Sequence, residues 1–287
     1  MKKCISCGGD IEIERKYAFK SKVFGEVYTD GMVYKCNSCS LSQVNADKID
    51  LAKLTEYYRS AYRNIASLGD APKSVYQARA RALLNIGKGL VKDPRRVFEV
   101  GAGYGFNLVA FAEAYPTADV FTDEIDETVE LNRRIRKGEL CDGDYDVVIM
   151  SHVLEHFVDP VERLARALDA LSPRGVVIIE VPNDVPEAVA GSGADEPHVS
   201  FFTRETLRDA IARSGGQLID IFTAGPTYRK NKAAGGVRAL VLKIVAKNPI
   251  VKRAFYFVRD LRKRSVDFEN RNESGMYLRA VMTRKAV

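Results

Sequence analysis

A glycine-spaced turn preceded by an acidic residue is the part of this chain whose chemistry is easiest to recognise. The glycines are Gly101, Gly103 and Gly105, and Glu99 stands two positions before the first of them. Glycine lets the backbone approach a ligand that a Cβ atom would exclude. A β-forming segment leads into the turn and a helical pattern follows it, so the segment predicts a nucleotide-binding corner. The spacing G-x-G-x-G differs from the dinucleotide pattern G-x-G-x-x-G, which argues against NAD.

A second acidic segment follows at residues 118–126. It reads as a short apolar strand that ends in the carboxylates Asp123 and Glu124. A carboxylate at the end of this strand can accept hydrogen bonds from both hydroxyls of a nucleoside ribose. The alternative is that these acids cap the next helix, because Asp126 and Glu127 also suit an N-terminal first turn.

The third candidate segment is a buried strand that ends in a polar cluster. Residues 145–150 are apolar at nearly every position, as parallel strands are, and Ser151, His152, Glu155 and His156 follow. Ligands of open α/β sheets bind at the carboxyl ends of strands, so we expect Ser151 and His152 to face the site. The pattern His-x-x-Glu-His also occurs in zinc proteases, but there it lies within a helix, whereas here it directly follows a strand.

The three histidines of the chain are the candidates for proton transfer. They are His152, His156 and His198, and all three fall in segments expected at the rim of one site. Imidazole has an unperturbed pKa of about 6.5, which suits a general base near neutral pH. We rank His156 first and His198 second, with Glu155 orienting the base or accepting the proton. The alternative for any one of the histidines is a structural role.

The surrounding elements alternate between strands and helices, which predicts an α/β fold with a Rossmann-like sheet. A helix is expected at about 74–90, before the first strand of the sheet. The strands are expected near 95–100, 118–122, 145–150, 175–181, 218–223 and 276–283. Because little sequence separates Glu130 from Tyr145, we expect the third strand of the sheet to be abbreviated.

Together these segments resemble the class I S-adenosylmethionine (SAM) methyltransferases. Residues 98–106 resemble the first motif of that family, 145–156 resemble its fourth motif, and 197–203 match a His-x-x-Phe-Phe-Thr signature of one subgroup. The resemblance implies SAM as the cofactor, and the family's pattern favours Glu124 over Asp123 as the ribose ligand. The implied SAM contacts are Glu99, Gly101, Ala102, Gly103, Gly105, Glu124 and Ser151. The family's acidic contact to adenine has only Asp142 as a candidate here.

Four of the five cysteines are paired by spacing. Cys4 and Cys7 form one C-x-x-C pair, and Cys36 and Cys39 form another. In a reducing compartment, two such pairs predict a closed tetrahedral zinc site, and the Zn²⁺ is expected to be structural because four thiolates leave no open position. A redox role fits poorly, because there are two pairs and no βαβ unit around either. The remaining Cys141 is expected to be inert.

The chain divides into three parts by composition. Residues 1–45 are expected to form a zinc ribbon and 46–92 a helical connector or lid, with Tyr57, Tyr58 and Tyr62 as lid candidates. The remaining residues, 93–287, are expected to form the SAM-binding methyltransferase domain with a basic helical insertion at about 229–268.

The insertion carries twelve Lys and Arg residues against one acid between residues 229 and 264, interleaved with apolar residues. Basic amphipathic helices of this kind bind anionic membrane surfaces or polyanions. The alternative is a helical cap with an apolar face on the core and solvated lysines. The concentrated charge favours an anionic partner, such as a nucleotide sugar, a glycan acceptor or a peripheral membrane contact.

Overall composition is that of an ordinary globular chain. The 287 residues are 46% hydrophobic and 29% charged, with a formal net charge of +6. We expect no membrane span, because no apolar run reaches about 18 residues. We expect no signal peptide either, because the N-terminus lacks an apolar stretch. These expectations favour a cytoplasmic location, with peripheral contact to the inner face of the membrane left open.

The combined motifs are similar to those of methyltransferases from bacterial sugar and polysaccharide pathways. This resemblance implies O-methylation of a sugar hydroxyl, since the sugar C-methyltransferases carry a large additional C-terminal domain. The alternative is a zinc-ribbon RNA methyltransferase, which a basic surface would also suit. Against it, the fourth strand ends in Ser-His and lacks the Asn/Asp-Pro-Pro-aromatic cluster that holds an exocyclic amine. A SAM-binding protein without turnover is a third interpretation. The oligomeric state is not predicted.

Overall fold

The computed structural model describes residues 2–17, 22–61, 73–183, 197–227 and 267–285. Tyr62 and the basic segment 229–264 lie outside these ranges, so what the sequence predicts for them stays a prediction. Within the described ranges, none of the helices combines the length and the apolar character needed to cross a bilayer.

Eleven strands and six α-helices make up the described part of the chain. The strands are β1 (Ile11–Lys16), β2 (Met32–Cys36), β3 (Ser42–Val44), β4 (Arg96–Glu99), β5 (Asp119–Thr122), β6 (Ile135–Lys137), β7 (Tyr145–Ser151), β8 (Leu171–Pro182), β9 (Ser200–Phe201), β10 (Gly216–Thr227) and β11 (Gly275–Arg284). The helices are α1 (Lys22–Val27), α2 (Leu51–Glu56), α3 (Lys73–Leu90), α4 (Phe106–Ala114), α5 (Pro160–Asp169) and α6 (Arg204–Arg213). A π-helical turn at Tyr57–Ala61 continues α2, and short 3₁₀ turns occupy Leu140–Asp142 and Leu154–His156.

Seven of the strands form the main sheet, in the order β10-β11-β8-β7-β4-β5-β6. Strands β4 to β8 pair in parallel, and β11 runs antiparallel to both of its neighbours. The strand order reverses between β4 and β7, and ligands of such sheets bind outside the carboxyl ends at that point. The Rossmann-like α/β fold predicted from the sequence is thus confirmed, with β6 reduced to three residues at the sheet edge.

Strand β7 shows how the core is built around the sheet. Its residues alternate in direction, so Val147 and Ile149 pack into the apolar cluster that holds Phe111, whereas Val148 and Met150 face the opposite cluster. All four side chains are buried, which explains the continuous apolar run in the sequence. The core therefore fixes the end of β7, where the polar residues of the site begin.

A second sheet contains the three strands of the N-terminal segment and β9, in the order β1-β2-β3-β9. Its last strand comes from the distant segment after β8, with Ser42 opposite Phe201 and Gln43 opposite Ser200. The amide of Val44 also donates to the carbonyl of Val199 over 2.9 Å. The N-terminal segment therefore shares a sheet with the segment that carries His198, a pairing that the local sequence pattern did not predict.

Candidate active site

The glycine turn adopts a conformation that only glycine takes up easily. Gly101, Gly103 and Gly105 have φ values of +56°, +59° and +71°. A Cβ added to Gly105 would lie 2.4 Å from Cδ1 of Ile135, so this position has no room for a side chain. Gly105 is also the N-cap of α4, which directs the first turn of that helix toward the carboxyl ends of β4 and β5.

Glu99 ends β4 beneath this turn and is 2% exposed. Its Oε1 atom accepts a hydrogen bond from Nδ2 of Asn107 over 2.6 Å. Its Oε2 atom is buried without a hydrogen-bond partner among the described residues. Burial raises the pKa of Glu99 to about 8, although Asn107 and the nearby Arg79 act in the opposite direction. A cationic ligand group would supply the partner that this carboxyl lacks.

The two acids after β5 hold the turn in place. Oδ1 of Asp123 accepts the amide of Gly101 over 2.9 Å, and Glu124 accepts the amides of Gly103 and Asp126. Both acids line the cavity, where a carboxylate can accept hydrogen bonds from a ribose. The alternative that the acids cap a following helix is wrong, because residues 123–134 form turns and no helix.

A cavity of about 1060 Å³ opens at the carboxyl ends of β4, β5 and β7. Its wall contains most of the residues that the sequence singled out: Glu99, Gly101, Ala102, Gly103, Asp123, Glu124, Ser151, His152 and His156. Gly105, Glu155 and His198 do not line it. Gly105 belongs to the turn, whereas Glu155 and His198 lie next to His156.

The adenine candidate Asp142 is also absent from the wall. Its carboxylate accepts the amide of Glu139 over 3.1 Å and closes a capping box of the 3₁₀ turn. The same segment instead presents Glu139, Leu140 and Cys141 to the cavity. The leftover cysteine is therefore exposed at the site, which its isolated position in the sequence did not indicate.

A buried ion cluster behind the cavity was missed by sequence reasoning. Glu180 is fully buried in β8 and its Oε2 accepts a hydrogen bond from Nε of Arg279 over 2.7 Å, while its Oε1 lies 2.9 Å from Nε of Arg79. Ser151 joins the cluster, donating to Glu180 and accepting from Arg79, both over 3.2 Å. Burial alone would raise the pKa of Glu180, but the two arginines hold it well below its ordinary value.

Arg79 connects this cluster to the cavity, because its guanidinium lies in the cavity wall beside Ser151. The signal available in the sequence was Glu180 itself, a charged residue inside an apolar strand, which must find a buried partner.

The histidines group at the end of β7. His152 has a φ of +53°, an uncommon conformation for a residue with a side chain and one that marks functional sites. Nδ1 of His156 contacts the hydroxyl of Tyr58 over 2.7 Å. The rings of His156 and His198 lie 5.0 Å apart. Glu155 is fully buried between the two cavity histidines, with Oε1 at 3.5 Å from Nδ1 of His152 and 3.9 Å from Nε2 of His156.

The connector contributes to the same wall. Tyr58 and Tyr76 line the cavity, whereas Tyr57 is 3% exposed and part of the core. Of the two described lid candidates, Tyr58 thus reaches the site and Tyr57 does not, and a lid role for Tyr58 stays a prediction.

The four paired cysteines converge at the edge of the ribbon sheet. Their Sγ atoms all lie within 4.8 Å of one another, with 3.6 Å between Cys4 and Cys39 and 3.5 Å between Cys7 and Cys36. These separations are far too long for disulfides. They are close to the roughly 3.8 Å between sulfurs that tetrahedral Zn–S bonds of about 2.3 Å require. Amides of Ser6, Gly9 and Ser38 each approach a sulfur at 3.4 Å. The donor set is compatible with zinc.

These features define a class of protein. A glycine turn at the switch point, two acids after the next strand and a buried carboxyl with one oxygen unpaired among the described residues fit SAM, whose nucleoside and ammonium they can contact. Comparison with known proteins supports that class: a family model described as a methyltransferase domain matches residues 71–221, more than half of the chain. The chain belongs to this methyltransferase family and is a SAM-dependent methyltransferase.

Individual relatives are distant. The chain is 24% identical over 191 residues to a malonyl-[acyl-carrier protein] O-methyltransferase of Geobacter sulfurreducens, covering 57% of this chain and 71% of that protein. It is 27% identical over 176 residues to a probable SAM-dependent methyltransferase of Mycolicibacterium smegmatis, and the match covers 54% of this chain and 66% of that protein. Among solved structures it is similar to the plantazolicin methyltransferase in complex with S-adenosylhomocysteine (SAH), with a TM-score of 0.49 and 15% identity. The match covers 81% of this chain and 94% of that structure.

Proposed function

We propose that this enzyme transfers the methyl group of SAM to a hydroxyl oxygen of a sugar, presented by a nucleotide sugar or a bacterial glycan. The observation that carries the proposal is the pair of imidazoles, His152 and His156, in the wall of the cofactor cavity. A sugar hydroxyl must lose a proton as it is methylated, whereas a carboxylate acceptor needs no base. The resemblance to sugar methyltransferases supports the choice of acceptor.

The residues around the glycine turn can each be assigned to one part of SAM by their charge. Glu99 suits the α-ammonium, Arg79 suits the α-carboxylate, and Glu124 with Asp123 suits the ribose hydroxyls, while the amides and missing Cβ atoms of Gly101 to Gly103 give the cofactor room. The cavity, at about 1060 Å³, lies at the upper end of the roughly 300–1000 Å³ typical of ligand pockets. This size supports binding of cofactor and acceptor side by side.

When bound, SAM supplies a methyl group activated by its sulfonium. The chain's own residues must then orient the acceptor, exclude water and remove one proton. One of the two imidazoles in the wall takes the hydroxyl proton, and the oxygen forms its bond to the methyl carbon as the carbon–sulfur bond breaks. Glu155 is a positioning residue, because it lies behind both imidazoles, outside the cavity wall.

Two further assignments belong to the proposal. Cys4, Cys7, Cys36 and Cys39 hold a structural Zn²⁺, supported by the convergence of their four sulfurs. The acceptor is anionic, supported by the basic segment 229–264, which would favour a phosphate-bearing sugar or an anionic membrane surface.

The test combines SAH titration with methyl transfer to a panel of acceptors. The panel contains nucleotide sugars and glycans of the host, an acyl-carrier-bound carboxylic acid and RNA. We expect transfer to a sugar, and we expect His156→Gln to lower kcat by about 10²- to 10⁴-fold while the affinity for SAH changes little. Glu162→Gln, at an exposed acid of α5 outside the cavity wall, is the control. Two outcomes would overturn the proposal. One is methyl transfer to the carboxylic acid alone at a rate that His156→Gln does not change, and the other is transfer to RNA alone with a strong dependence on salt.

A further inference from the structure

Glu155, His156 and His198 form a second cluster with metal-ligand chemistry, separate from the cysteines. One carboxylate oxygen and one nitrogen from each imidazole lie within 4.8 Å of one another. Glu155 is fully buried, His156 is 7% exposed and His198 is half-buried. Two imidazoles and one carboxylate are the set that binds divalent first-row transition metals and leaves coordination positions open.

The separations inside the cluster suit ligands of one ion better than direct hydrogen bonds. Oε1 of Glu155 lies 3.9 Å from Nε2 of His156, beyond hydrogen-bonding distance. Two ligand atoms that each lie about 2.1 Å from one metal, at angles of 90° to 120°, are roughly 3.0–3.6 Å apart. A small inward rotation of these side chains would therefore place all three around one ion.

The remaining contacts orient the cluster as metal sites are oriented. Nδ1 of His156 is engaged by the hydroxyl of Tyr58 at 2.7 Å and by the carbonyl of Pro197 at 3.3 Å, which turns Nε2 toward Glu155. Histidines that bind metals use their second nitrogen in this way. The amide of Val199 donates to the carbonyl of Glu155 over 2.7 Å, so the two segments that supply the ligands are joined by their backbones.

We propose that Glu155, His156 and His198 bind a divalent transition-metal ion at the edge of the SAM cavity, and that the acceptor hydroxyl occupies an open position of this ion. The inference deepens the proposed function and rests on it for the identity of the acceptor. The site meets the cavity at His156, which lines the wall, whereas Glu155 and His198 do not.

The ion decides which imidazole is the base. With Nε2 of His156 bound to metal and Nδ1 engaged by Tyr58, that ring has no position left for a proton from the acceptor. The hydroxyl bound to the ion has a lowered pKa, and its proton passes to His152, the other imidazole in the wall. The oxygen then keeps the electron pair of the broken O–H bond and forms the bond to the methyl carbon, while the sulfonium sulfur keeps the pair of the C–S bond and becomes a neutral thioether.

The test uses the full-length protein with its cysteine site filled with zinc, because thiolates hold Zn²⁺ far better than Mn²⁺. Mn²⁺ is titrated in, and unbound Mn²⁺ is followed by electron paramagnetic resonance. We expect one Mn²⁺ per chain, and we expect His198→Ala and Glu155→Gln each to weaken binding by at least 30-fold. His198→Ala is expected to fold, because the side chain of His198 is only half-buried. The affinity of this variant for SAH shows whether the glycine corner is intact. Glu162→Gln, an exposed acid on α5, is the matched control and should bind Mn²⁺ like the unmodified protein.

The outcomes separate this inference from the proposed function. Absence of any bound Mn²⁺, or binding unchanged in His198→Ala, overturns the metal site even if a sugar is methylated. Mn²⁺ binding that depends on Glu155 and His198 supports the site even if no sugar on the panel is methylated. With both in place, His152→Gln should lower kcat and leave Mn²⁺ binding unchanged, whereas His156→Gln should weaken both.

Discussion

Cofactor affinity should depend on pH through Glu99, the buried carboxyl beneath the glycine turn. Burial raises the pKa of this carboxyl to about 8, with Arg79 opposing the shift and Glu124 and Glu180 adding to it. The α-ammonium of SAM or SAH stays protonated between pH 6 and 8 and prefers an ionised Glu99. Binding must therefore drive a proton off Glu99, and affinity should rise with pH across this window.

The magnitude follows from the pKa. At pH 6, two units below it, about one Glu99 carboxyl in 100 is ionised, and the apparent dissociation constant is raised by the inverse of that fraction. The affinity for SAH should thus increase by nearly tenfold between pH 6 and 7 and by about 50-fold between pH 6 and 8, because half of the carboxyl is ionised at pH 8. This corresponds to about 2.3 kcal/mol of binding free energy.

Calorimetric titration with SAH measures both the slope and the proton. At pH 6.5, repeating the titration in buffers of different ionisation enthalpy should show release of nearly one proton per SAH bound. Glu99→Gln should abolish the slope and the proton release, whereas Glu113→Gln, the same change at an exposed position of α4, should keep both. An affinity that is flat from pH 6 to 8 in the unmodified protein, or a slope that survives in Glu99→Gln, would refute the reasoning.

Three other variants test the framework around the site. Glu180→Gln leaves the buried guanidinium of Arg279 and the cavity-lining guanidinium of Arg79 without their carboxylate, and it should lower the free energy of unfolding by about 3–5 kcal/mol in urea denaturation; a loss below about 1 kcal/mol would mean that the arginines are hydrated. Gly105→Ala places a side chain at a φ of +71° and against Ile135, so it should lower the free energy of unfolding and weaken SAH binding at least tenfold. The control is Gly31→Ala, at a φ of +64° in open space, which should lower the free energy of unfolding by about 1–2 kcal/mol and leave SAH affinity unchanged. Cys36→Ser should release zinc and reduce kcat more than SAH affinity, because the ribbon is paired with β9; equal losses would count against that coupling.

Local patterns were sufficient to predict the corner and the sheet. The glycine spacing, the apolar run of β7 and the polar residues at its end all depend on neighbours in sequence, and the carboxyl-end rule brings them to one place. The ion cluster could not be predicted in this way, because Arg79, Glu180 and Arg279 come from a helix and two strands far apart in the chain. Only the charge of Glu180 within an apolar strand indicated that this residue must have buried partners of opposite charge. His198 was correctly associated with His156, but its place behind that ring depends on how the loop after β8 packs.

The pairing of β3 with β9 joins the N-terminal sheet to the segment that carries His198. A two-residue strand such as β9 has too few hydrogen bonds to be stable by itself, so its position depends on the sheet it joins. That sheet is held in turn by the cysteine cluster and by Gln43. The side chain of Gln43 accepts a hydrogen bond from the amide of Ile5 over 2.9 Å, and its backbone lies opposite Ser200 of β9. The backbone of His198 is fastened to the same region, because Tyr17 donates to its carbonyl over 3.2 Å. Order at the cysteines is therefore transmitted to the segment that positions His198, and loss of the ribbon should disorder the histidine cluster before it affects the glycine corner on β4.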